Sequence, residues 1–413
     1  MLCKAAFHIC SFTIMKIGII REEKIPHDNR VPLTPSQCRT LMEEHSNIWI
    51  AIQPSEHRCF TNEEYRYQGV AVREDLNDCD ILLGVKEVPP HFLLDSKTYL
   101  FFSHTIKKQP HNKKLLQTVL SKNIRLIDYE CLKDENGNRL IAFGKWAGIV
   151  GAYHAIKMIG HRTGKFEIKQ MSECLNFAKA LKELEKIKLP NLKIVLTGTG
   201  RVAYGCSFLL DTLGIKKVSA HDFCYKEFDE IVYTQLESKD MYYKAGAEEF
   251  DKNDFHSHPQ EYQSCFYPFT KVADVFINGV YWDKRIPVFF SKEEMKEKDF
   301  RIQIIADVTC DIAPSSSVPS TLIASSIADP YYGYSATNEK ICETFSSNSI
   351  DVMAIDNLPN ELPRDASEDF GNMLVSKIIP RLLKKKSNTI ENATIAANGK
   401  LTEGFDYLTD YVN

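Results

Sequence analysis

The stretch that decides the fold is Lys193–Ala203, which reads KIVLTGTGRVA. An apolar run breaks into a glycine turn with the spacing G-x-G-x-x-A and then into a helical pattern, a spacing typical of dinucleotide binding. Gly198 allows a tight turn, Gly200 lets the backbone approach a pyrophosphate, and Ala203 lets the helix pack closely on the strand. The helix N-terminus offers N–H groups to the phosphates. The alternative is an ordinary strand, turn and helix without a ligand.

The segment after the glycine turn extends this pattern. Residues 208–213 continue a helix that Gly214 can cap. Residues 217–220 then predict a second strand that ends at His221 and Asp222. Asp222 lies about 20 residues past the glycines, where an acidic side chain can bind the ribose hydroxyls.

Composition sets broad limits on the protein. Its 413 residues predict two or three domains, and 44% hydrophobic with 26% charged residues is ordinary for a soluble globular protein. A net charge of −4 argues against a nucleic-acid partner. The 12 cysteines form no CxxC pair, so we expect no metal site, and free thiols in a reducing cytoplasm. No run of about 18 apolar residues predicts a membrane span.

The N-terminal segment carries little information about the fold. Residues 1–14 are mildly apolar but are interrupted by Lys4 and His8, and they lack a clear cleavage site. Met15 precedes the first predicted strand and is a plausible start of translation. We therefore expect residues 1–14 to be a non-native or disordered extension.

The rest of the chain alternates between strand and helix patterns. A first α/β unit is predicted before the glycine turn, and two strands belong to a second unit. Residues 239–268 look like an insertion. The predicted strands are 16–20, 48–52, 80–84, 99–102, 124–127, 273–278 and 302–306, and the predicted helices are 35–45, 62–68, 112–121, 145–160 and one within 163–191.

Polar side chains follow several apolar runs of the first unit. Lys86 and Glu87 follow residues 82–85, His104 follows 100–103, and Glu130 comes shortly after 126–127. Strand ends on one side of a parallel sheet converge, so these groups can meet. A desolvated lysine can act as a base near neutral pH, and histidine suits proton transfer there. Each residue alone also fits a solvated lysine or a structural histidine.

Nine segments together resemble the saccharopine dehydrogenase / lysine–2-oxoglutarate reductase family, which is related in fold to alanine dehydrogenase and the transhydrogenase α subunit. The likeness is greatest to the reductase half of aminoadipic semialdehyde synthase. The segments are REEKIPHDNRVPLTP (21–35), ILLGVKEVP (81–89), TYLFFSHTIKKQ (98–109), IRLIDYECL (124–132), IAFGKWAGIVG (141–151), VLTGTGRVAYG (195–205), FINGVYWD (276–283), IADVTCDI (305–312) and IDNLPNELPRDAS (355–367).

The resemblance implies an α/β fold of two doubly wound, Rossmann-like domains with an active-site cleft between them. The first domain, which holds the substrate, would comprise 15–142 and 337–413. The second, 143–336, would bind the dinucleotide. The implied partners are small molecules: saccharopine, lysine and 2-oxoglutarate. The oligomeric state stays open.

The resemblance also implies a reaction, the reversible NAD(P)-linked cleavage of saccharopine to lysine and 2-oxoglutarate. Lys86 would act as acid and base on the secondary amine, and His104 on the water that adds to the imine. Arg30 would bind a substrate carboxylate. The further substrate-binding positions are Lys107, Gln109, Glu87, Glu130, Arg139, Phe143, Gly279, Val280 and Tyr281. The cofactor-binding positions are Gly198, Thr199, Gly200, Arg201, Val202, Asp222, Asp307 and Val308.

Two questions stay open at this level. Asp222 would repel a 2′-phosphate and favours NAD, whereas Arg201 could pair with such a phosphate, so NADP is the alternative cofactor. The alternative functions are an alanine-dehydrogenase-like enzyme and a non-catalytic nucleotide-sensing module. The presence of both Lys86 and His104 speaks against the sensing module, because binding alone needs neither.

Overall fold

The computed structural model describes residues 14–413, which divide into two compact units. Unit 1 comprises the described residues up to Ala142 together with Pro363–Asn413, and unit 2 is Phe143–Leu362. Apart from Ile14, the N-terminal extension expected at residues 1–14 lies outside the described residues.

Each unit is built on one eight-stranded sheet. The strands are β1 (Met15–Ile19), β2 (Ile48–Ile52), β3 (Ala71–Val72), β4 (Ile81–Leu83), β5 (Thr98–Phe101), β6 (Arg125–Asp128), β7 (Lys193–Thr197), β8 (Lys216–Lys217), β9 (Val232–Leu236), β10 (Tyr242–Lys244), β11 (Tyr262–Ser264), β12 (Val275–Asn278), β13 (Ile304–Asp307), β14 (Tyr331–Ser335), β15 (Lys340–Cys342), β16 (Ile350–Met353), β17 (Thr394–Ala397) and β18 (Lys400–Leu401).

The α-helices alternate with these strands. They are α1 (Pro35–Glu44), α2 (Asn62–Tyr67), α3 (Lys113–Ser121), α4 (Gly144–Thr163), α5 (Phe177–Leu184), α6 (Arg201–Thr212), α7 (Ala220–Tyr225), α8 (Ser238–Met241), α9 (Lys252–Ser257), α10 (Tyr267–Thr270), α11 (Pro363–Met373), α12 (Ile379–Leu382), α13 (Asn388–Ala393) and α14 (Thr409–Val412). The predicted class, two doubly wound α/β domains, is confirmed.

The sheet of unit 1 has the order β18-β17-β6-β5-β4-β1-β2-β3. β1 to β6 run parallel, and β17 and β18 are antiparallel at one edge. Parallel strands covered on both faces read as continuous apolar runs, which is why the sequence located them well. α1 begins where expected, because Thr34 and Gln37 form a capping box and Pro35 takes the first helical position.

The chain returns to unit 1 at Pro363, so the predicted return at 337 is wrong. β14 pairs antiparallel with β16, and β16 pairs parallel with β13, which keeps residues 331–353 in the second sheet. After Pro363, α11 joins unit 1: the Ser367 hydroxyl accepts from the Val31 N–H at 2.9 Å, and the Gln37 amide donates to the Glu368 carbonyl at 2.9 Å.

The sheet of unit 2 has the order β15-β14-β16-β13-β12-β7-β9-β8. α4 and α6 cross very closely beside it. A Cβ on Gly148 would lie 1.9 Å from the Val202 carbonyl oxygen, and one on Gly205 would lie 2.0 Å from that of Lys145. Glycine is therefore required at both positions, and the close crossing fixes the first turn of α6.

The prediction for residues 217–220 is wrong in detail. β8 covers only Lys216 and Lys217 at the sheet edge, and Ser219 caps α7, which begins at Ala220. Asp222 therefore lies in the first turn of a helix, where its N–H bonds the Ser219 hydroxyl, and not at a strand end. A serine in front of a short polar segment is an N-cap signal that competes with the strand pattern.

Candidate active site

Lys86 follows the carboxyl end of β4 and is half-buried. The half-buried Glu22, just after β1, fixes the backbone of Lys86, because its carboxyl group accepts hydrogen bonds from the Val85 N–H at 2.6 Å and the Lys86 N–H at 2.9 Å. Burial raises the pKa of Glu22 from its ordinary 4.5 to about 8. Two neighbouring parallel strands thus fix the start of the Lys86 side chain.

The surroundings of Lys86 favour its neutral form. Burial lowers the pKa of its ammonium, and the positive charges of Arg30 and Lys24 lower it further. Asp28 and Glu87 act in the opposite direction. The structure thus brings Lys86 together with Arg30 and Glu87, two of the residues predicted to accompany it.

His104 follows β5 and forms a pair with Glu87. Its Nδ1 lies 2.6 Å from Glu87 Oε1, and the Lys24 ammonium lies 2.8 Å from Glu87 Oε2. Burial alone would raise the pKa of Glu87, but the hydrogen bonds and charges of His104 and Lys24 hold it well below its usual range. An ionised Glu87 accepts a hydrogen bond from Nδ1–H, so Nε2 is the imidazole nitrogen outside this pair.

The backbone at His104 is unusual for a non-glycine residue, with φ at +51°. Such left-handed conformations cost of order 1 kcal/mol or more and recur at functional sites. Here the turn places the imidazole beside Glu87 instead of continuing along β5. The next residues, 105–107, form a short 3₁₀ turn that carries Lys107.

Arg30 is 3% exposed and forms an ion pair with Asp28. Its Nε lies 2.9 Å from Asp28 Oδ1, and one terminal nitrogen lies 2.5 Å from Oδ2. The predicted carboxylate-binding arginine therefore already holds an internal carboxylate. In this arrangement its clearest effect is electrostatic, through the lowered pKa of Lys86.

A second charged cluster lies after β6. Glu130 is 5% exposed, and its Oε1 lies 2.8 Å from Arg139 and 3.6 Å from the Lys107 ammonium. Among the described residues, Glu130 Oε2 is buried without a hydrogen-bond partner. The Gln109 side-chain oxygen accepts a hydrogen bond from the Asn112 amide at 3.3 Å. The cluster presents two partly exposed cations on one buried anion.

Unit 2 carries the glycine turn at the end of β7. Gly198 has φ at +95°, and a Cβ there would lie 2.8 Å from the Gly279 carbonyl oxygen, so only glycine fits. Gly200 faces open space, and no side chain caps α6. Exposed Thr199, Gly200 and Arg201 border this uncapped helix start. The turn therefore fits a dinucleotide pyrophosphate.

Asp307 is buried and is linked through Asn278 to Thr197, the residue before this turn. It is fully buried and accepts from Thr321 at 2.6 Å and Asn278 at 2.8 Å, while Thr197 donates to Asn278 at 3.0 Å. Burial raises the pKa of Asp307 to about 6. The network ties together the carboxyl ends of β7, β12 and β13, so Asp307 supports the site from below.

The remaining predicted positions of unit 2 differ in exposure. Tyr281 is 90% exposed, and the Val280 carbonyl accepts from the Thr309 hydroxyl at 2.8 Å. Val308 and Phe143 are each 8% exposed. Val308 packs closely against Gly151, since a Cβ added to that glycine would lie only 2.2 Å from a methyl group of the valine.

Sequence reasoning missed Glu22, Lys24 and Asp28. All three lie between β1 and α1, in the motif 21–35 that was singled out for Arg30. The signal available was their position after the first strand of a parallel sheet, the edge at which ligands bind. Which of these charges face Lys86 and which face solvent depends on loop geometry that spacing does not encode.

Residues 14–413 lack two features, a membrane-spanning helix and a cluster of metal-binding side chains. No helix there is long and apolar enough to cross a membrane. No group of three or more histidine, cysteine, aspartate or glutamate side chains in the same range is arranged to hold a metal ion.

Comparison with known proteins gives the following matches. Residues 18–150 match the alanine dehydrogenase/PNT N-terminal domain. Over 95% of its length the chain is 29% identical to an alpha-aminoadipic semialdehyde synthase of Arabidopsis thaliana and 28% to the mitochondrial one of Mus musculus, covering 41% and 47% of those proteins. The chain thus spans less than half the length of these curated relatives.

Relatives of similar length and similar folds also exist. A saccharopine dehydrogenase [NAD(+), L-lysine-forming] of Yarrowia lipolytica is 25% identical over 87% of this chain and 90% of its own. An L-alanine dehydrogenase structure superposes with a TM-score of 0.65 at 15% identity, covering 97% of this chain and all of its own. The transhydrogenase of Sinorhizobium meliloti gives 0.57 at 10% identity, covering 94% of this chain and all of its own. The resemblance to saccharopine dehydrogenases and aminoadipic semialdehyde synthases predicted from the nine segments is confirmed, with an alanine dehydrogenase/PNT N-terminal domain at residues 18–150.

Proposed function

We propose that the protein is a saccharopine dehydrogenase of the L-lysine-forming type, a nicotinamide-linked oxidoreductase acting on a C–N bond. The observation that carries the proposal is the set of proton-transfer groups in unit 1: a lysine with a lowered pKa beside a histidine whose Nδ1 is held by an ionised glutamate. The names of relatives of similar length support the choice of reaction.

The chemistry requires two separate proton transfers. Saccharopine is a secondary amine, and its oxidation leaves an imine that water must attack before the C–N bond breaks. NAD⁺, when bound, accepts the hydride from the substrate carbon. Neutral Lys86 takes the proton of the amine, and its lowered pKa increases the neutral fraction near physiological pH.

His104 then serves the hydrolytic half of the reaction. Because Glu87 binds Nδ1, Nε2 is the atom that takes a proton from the attacking water and later returns one to the leaving amine of lysine. The products are lysine and 2-oxoglutarate. Reversal of the same transfers gives reductive condensation.

The substrate carries three carboxylates and needs cations. Lys107 and Arg139, with side chains 51% and 41% exposed, are the proposed partners, since both also contact the buried Glu130. In unit 2, the tight turn at Gly198 and the open space at Gly200 support dinucleotide binding, with NAD as the proposed cofactor and NADP as the alternative.

The test is a steady-state assay at 340 nm with saccharopine and NAD⁺, repeated with NADP⁺. We expect saccharopine-dependent NADH formation, with lysine and 2-oxoglutarate as products. L-Alanine with NAD⁺ is the matched control and should give no turnover. Turnover of alanine without turnover of saccharopine would replace the proposal by an alanine dehydrogenase. Absence of any turnover despite cofactor binding would favour a nucleotide-sensing module.

A further inference from the structure

The strand order of unit 2 places an unexpected strand next to the glycine turn. β7 pairs in parallel with β9 on one side and β12 on the other, while β8, which comes first in the chain, lies beyond β9 at the edge. In dinucleotide-binding sheets, the acid that binds the ribose hydroxyls follows the strand adjacent to the glycine strand. That adjacent strand is β9, not β8.

The end of β9 contacts the glycine turn directly. The Gly198 N–H donates to the Leu236 carbonyl at 2.9 Å, and the Gln235 amide donates to the Gly198 carbonyl at 2.9 Å. Leu236 is buried and ends β9, and the exposed Glu237 follows it immediately, in front of α8. Glu237 is therefore the first acidic residue after β9, the strand that contacts the glycine turn, and its side chain is 55% exposed.

Asp222 does not share this position. It lies on α7, which follows the edge strand β8, and it pairs with Lys226 at 3.1 Å and His221 at 3.6 Å. β9 separates β8 from β7, which at about 4.8 Å per strand puts the end of β8 roughly 10 Å from the glycine strand.

We propose that Glu237, and not Asp222, is the acid that binds the ribose hydroxyls of the adenosine half of the cofactor and thereby selects NAD(H). This proposal rests on the proposed nicotinamide-dinucleotide function. The Glu237 carboxylate accepts hydrogen bonds from the 2′- and 3′-hydroxyls, and its negative charge repels a 2′-phosphate. Lys239 lies 3.6 Å from Glu237 and is the residue that would serve a 2′-phosphate instead.

The test measures binding without turnover, by titrating the full chain with NADH and NADPH and following nicotinamide fluorescence. The variants are Glu237→Gln and Asp222→Asn. The charge-matched control is Glu248→Gln, which lies in the segment between β10 and β11. We expect Glu237→Gln to raise the NADH dissociation constant about tenfold or more, while the NADPH constant stays equal or falls. A charged acceptor of this kind is worth that much. Glu248→Gln should change neither constant, and all three variants should melt at the wild-type temperature.

The outcomes separate this assignment from the proposed function. If the wild-type chain binds neither dinucleotide, the proposed function fails and the assignment fails with it. If the wild type binds NADH and Glu237→Gln leaves the dissociation constant unchanged, only the assignment fails. A loss of NADH affinity in Asp222→Asn but not in Glu237→Gln overturns it, as does a wild-type preference for NADPH.

Discussion

The Glu87 carboxylate lies between a histidine and a lysine. His104 contacts one of its oxygens and Lys24 the other, at 2.6 and 2.8 Å. The hydrogen bonds and charges of His104 and Lys24 together keep Glu87 ionised, because they hold its pKa well below its usual range. An ionised Glu87 also opposes the lowered pKa of Lys86. One carboxylate thus couples the two groups to which we assign the proton transfers.

At the residue scale, Lys86→Met and His104→Gln should each reduce kcat by about 10²–10⁴, the usual contribution of one acid–base group. NADH binding should stay nearly unchanged, because both residues belong to unit 1 and the glycine turn belongs to unit 2. The double variant should lose less than the product of the single losses, since both serve one sequence of steps.

The pH profile provides the internal check on this prediction. In the oxidative direction, the wild-type rate should rise with pH as Lys86 loses its proton, at a pKa below the usual lysine range. That ionisation should disappear from the profile of Lys86→Met. Wild-type turnover in either single variant would remove that residue from the mechanism.

Glu22 should give stability an unusual pH dependence. Its folded-state pKa of about 8 lies above its ordinary 4.5, so the unfolded chain releases this proton first as pH rises. The stability contributed by Glu22 is complete below pH 4.5, falls between 4.5 and 8, and is lost above that window. Relative to the wild type, Glu22→Gln should gain about 2–4 kcal/mol between pH 5 and pH 9.

Urea unfolding at the two pH values measures this difference. The neighbouring Glu23→Gln is the control, because the Glu23 side chain is 25% exposed and pairs with Arg21. An equal pH response in both variants would show that the effect does not belong to Glu22.

The sequence predicted individual residues of the site better than their partners. Lys86, Glu87 and His104 follow apolar runs, so convergence at one sheet edge placed them correctly. The lowering of the Lys86 pKa by desolvation was also predicted. The grip of Arg30 on Asp28 was not, because a contact two residues apart within a loop depends on backbone turns that have no periodic pattern.

At the scale of elements, the order of strands was the hardest feature to predict. β8 has two residues and β9 has five, and only the pairing shows that the later strand lies beside β7. A sequence pattern gives the position of a strand along the chain but not its neighbour in the sheet. The assignment of Asp222 assumed that consecutive strands are adjacent, which holds often but not here.

A buried hydrogen-bonded cluster joins α4 to three other segments of unit 2. His154 Nε2 lies 2.6 Å from Glu361, its Nδ1 lies 2.7 Å from the Tyr331 hydroxyl, and the Ser172 N–H donates to Glu361 at 3.3 Å. His154 and Glu361 have no exposed side-chain surface. The IDNLPNELP segment noted in the sequence, residues 355–363, therefore contains the residue that anchors the long helix, Glu361.

Glu361→Ala should be strongly destabilising. It leaves the fully buried His154 without its partner, and losing one partner of a buried pair costs about 3–5 kcal/mol. Glu361→Gln, which keeps an acceptor oxygen, should cost less. Arg39→Ala, which removes an exposed pair with Glu43, should leave the urea midpoint unchanged. Equal midpoints for Glu361→Ala and wild type would contradict the anchoring role.

At the scale of the whole molecule, the two units differ in how the chain builds them. Unit 2 takes all strands of its eight-stranded sheet from the continuous segment 143–362. Unit 1 needs a second segment, because β17 pairs with β6 and its core includes Ile395, Phe405 and Leu408. The family resemblance implied this discontinuity, but its second boundary depended on β14 to β16, whose pairing partners spacing does not reveal.

The contiguous unit should fold and bind its cofactor alone. Residues 143–362, produced as a fragment, should unfold cooperatively and bind NADH within about threefold of the full chain, since the glycine turn and its buried support all lie within it. NADH at 100 times its dissociation constant should stabilise the fragment by about 2.7 kcal/mol. Residues 14–142 alone should show no cooperative transition, because β17 and its core side chains are missing.

Gly198→Ala is the binding control: at φ +95° an alanine is strained, and its Cβ would meet the Gly279 carbonyl at 2.8 Å. Calorimetry with and without NADH makes the comparison, and a fragment that melts at the same temperature with and without cofactor, while the full chain binds it, would show that the dinucleotide needs more of the molecule than unit 2.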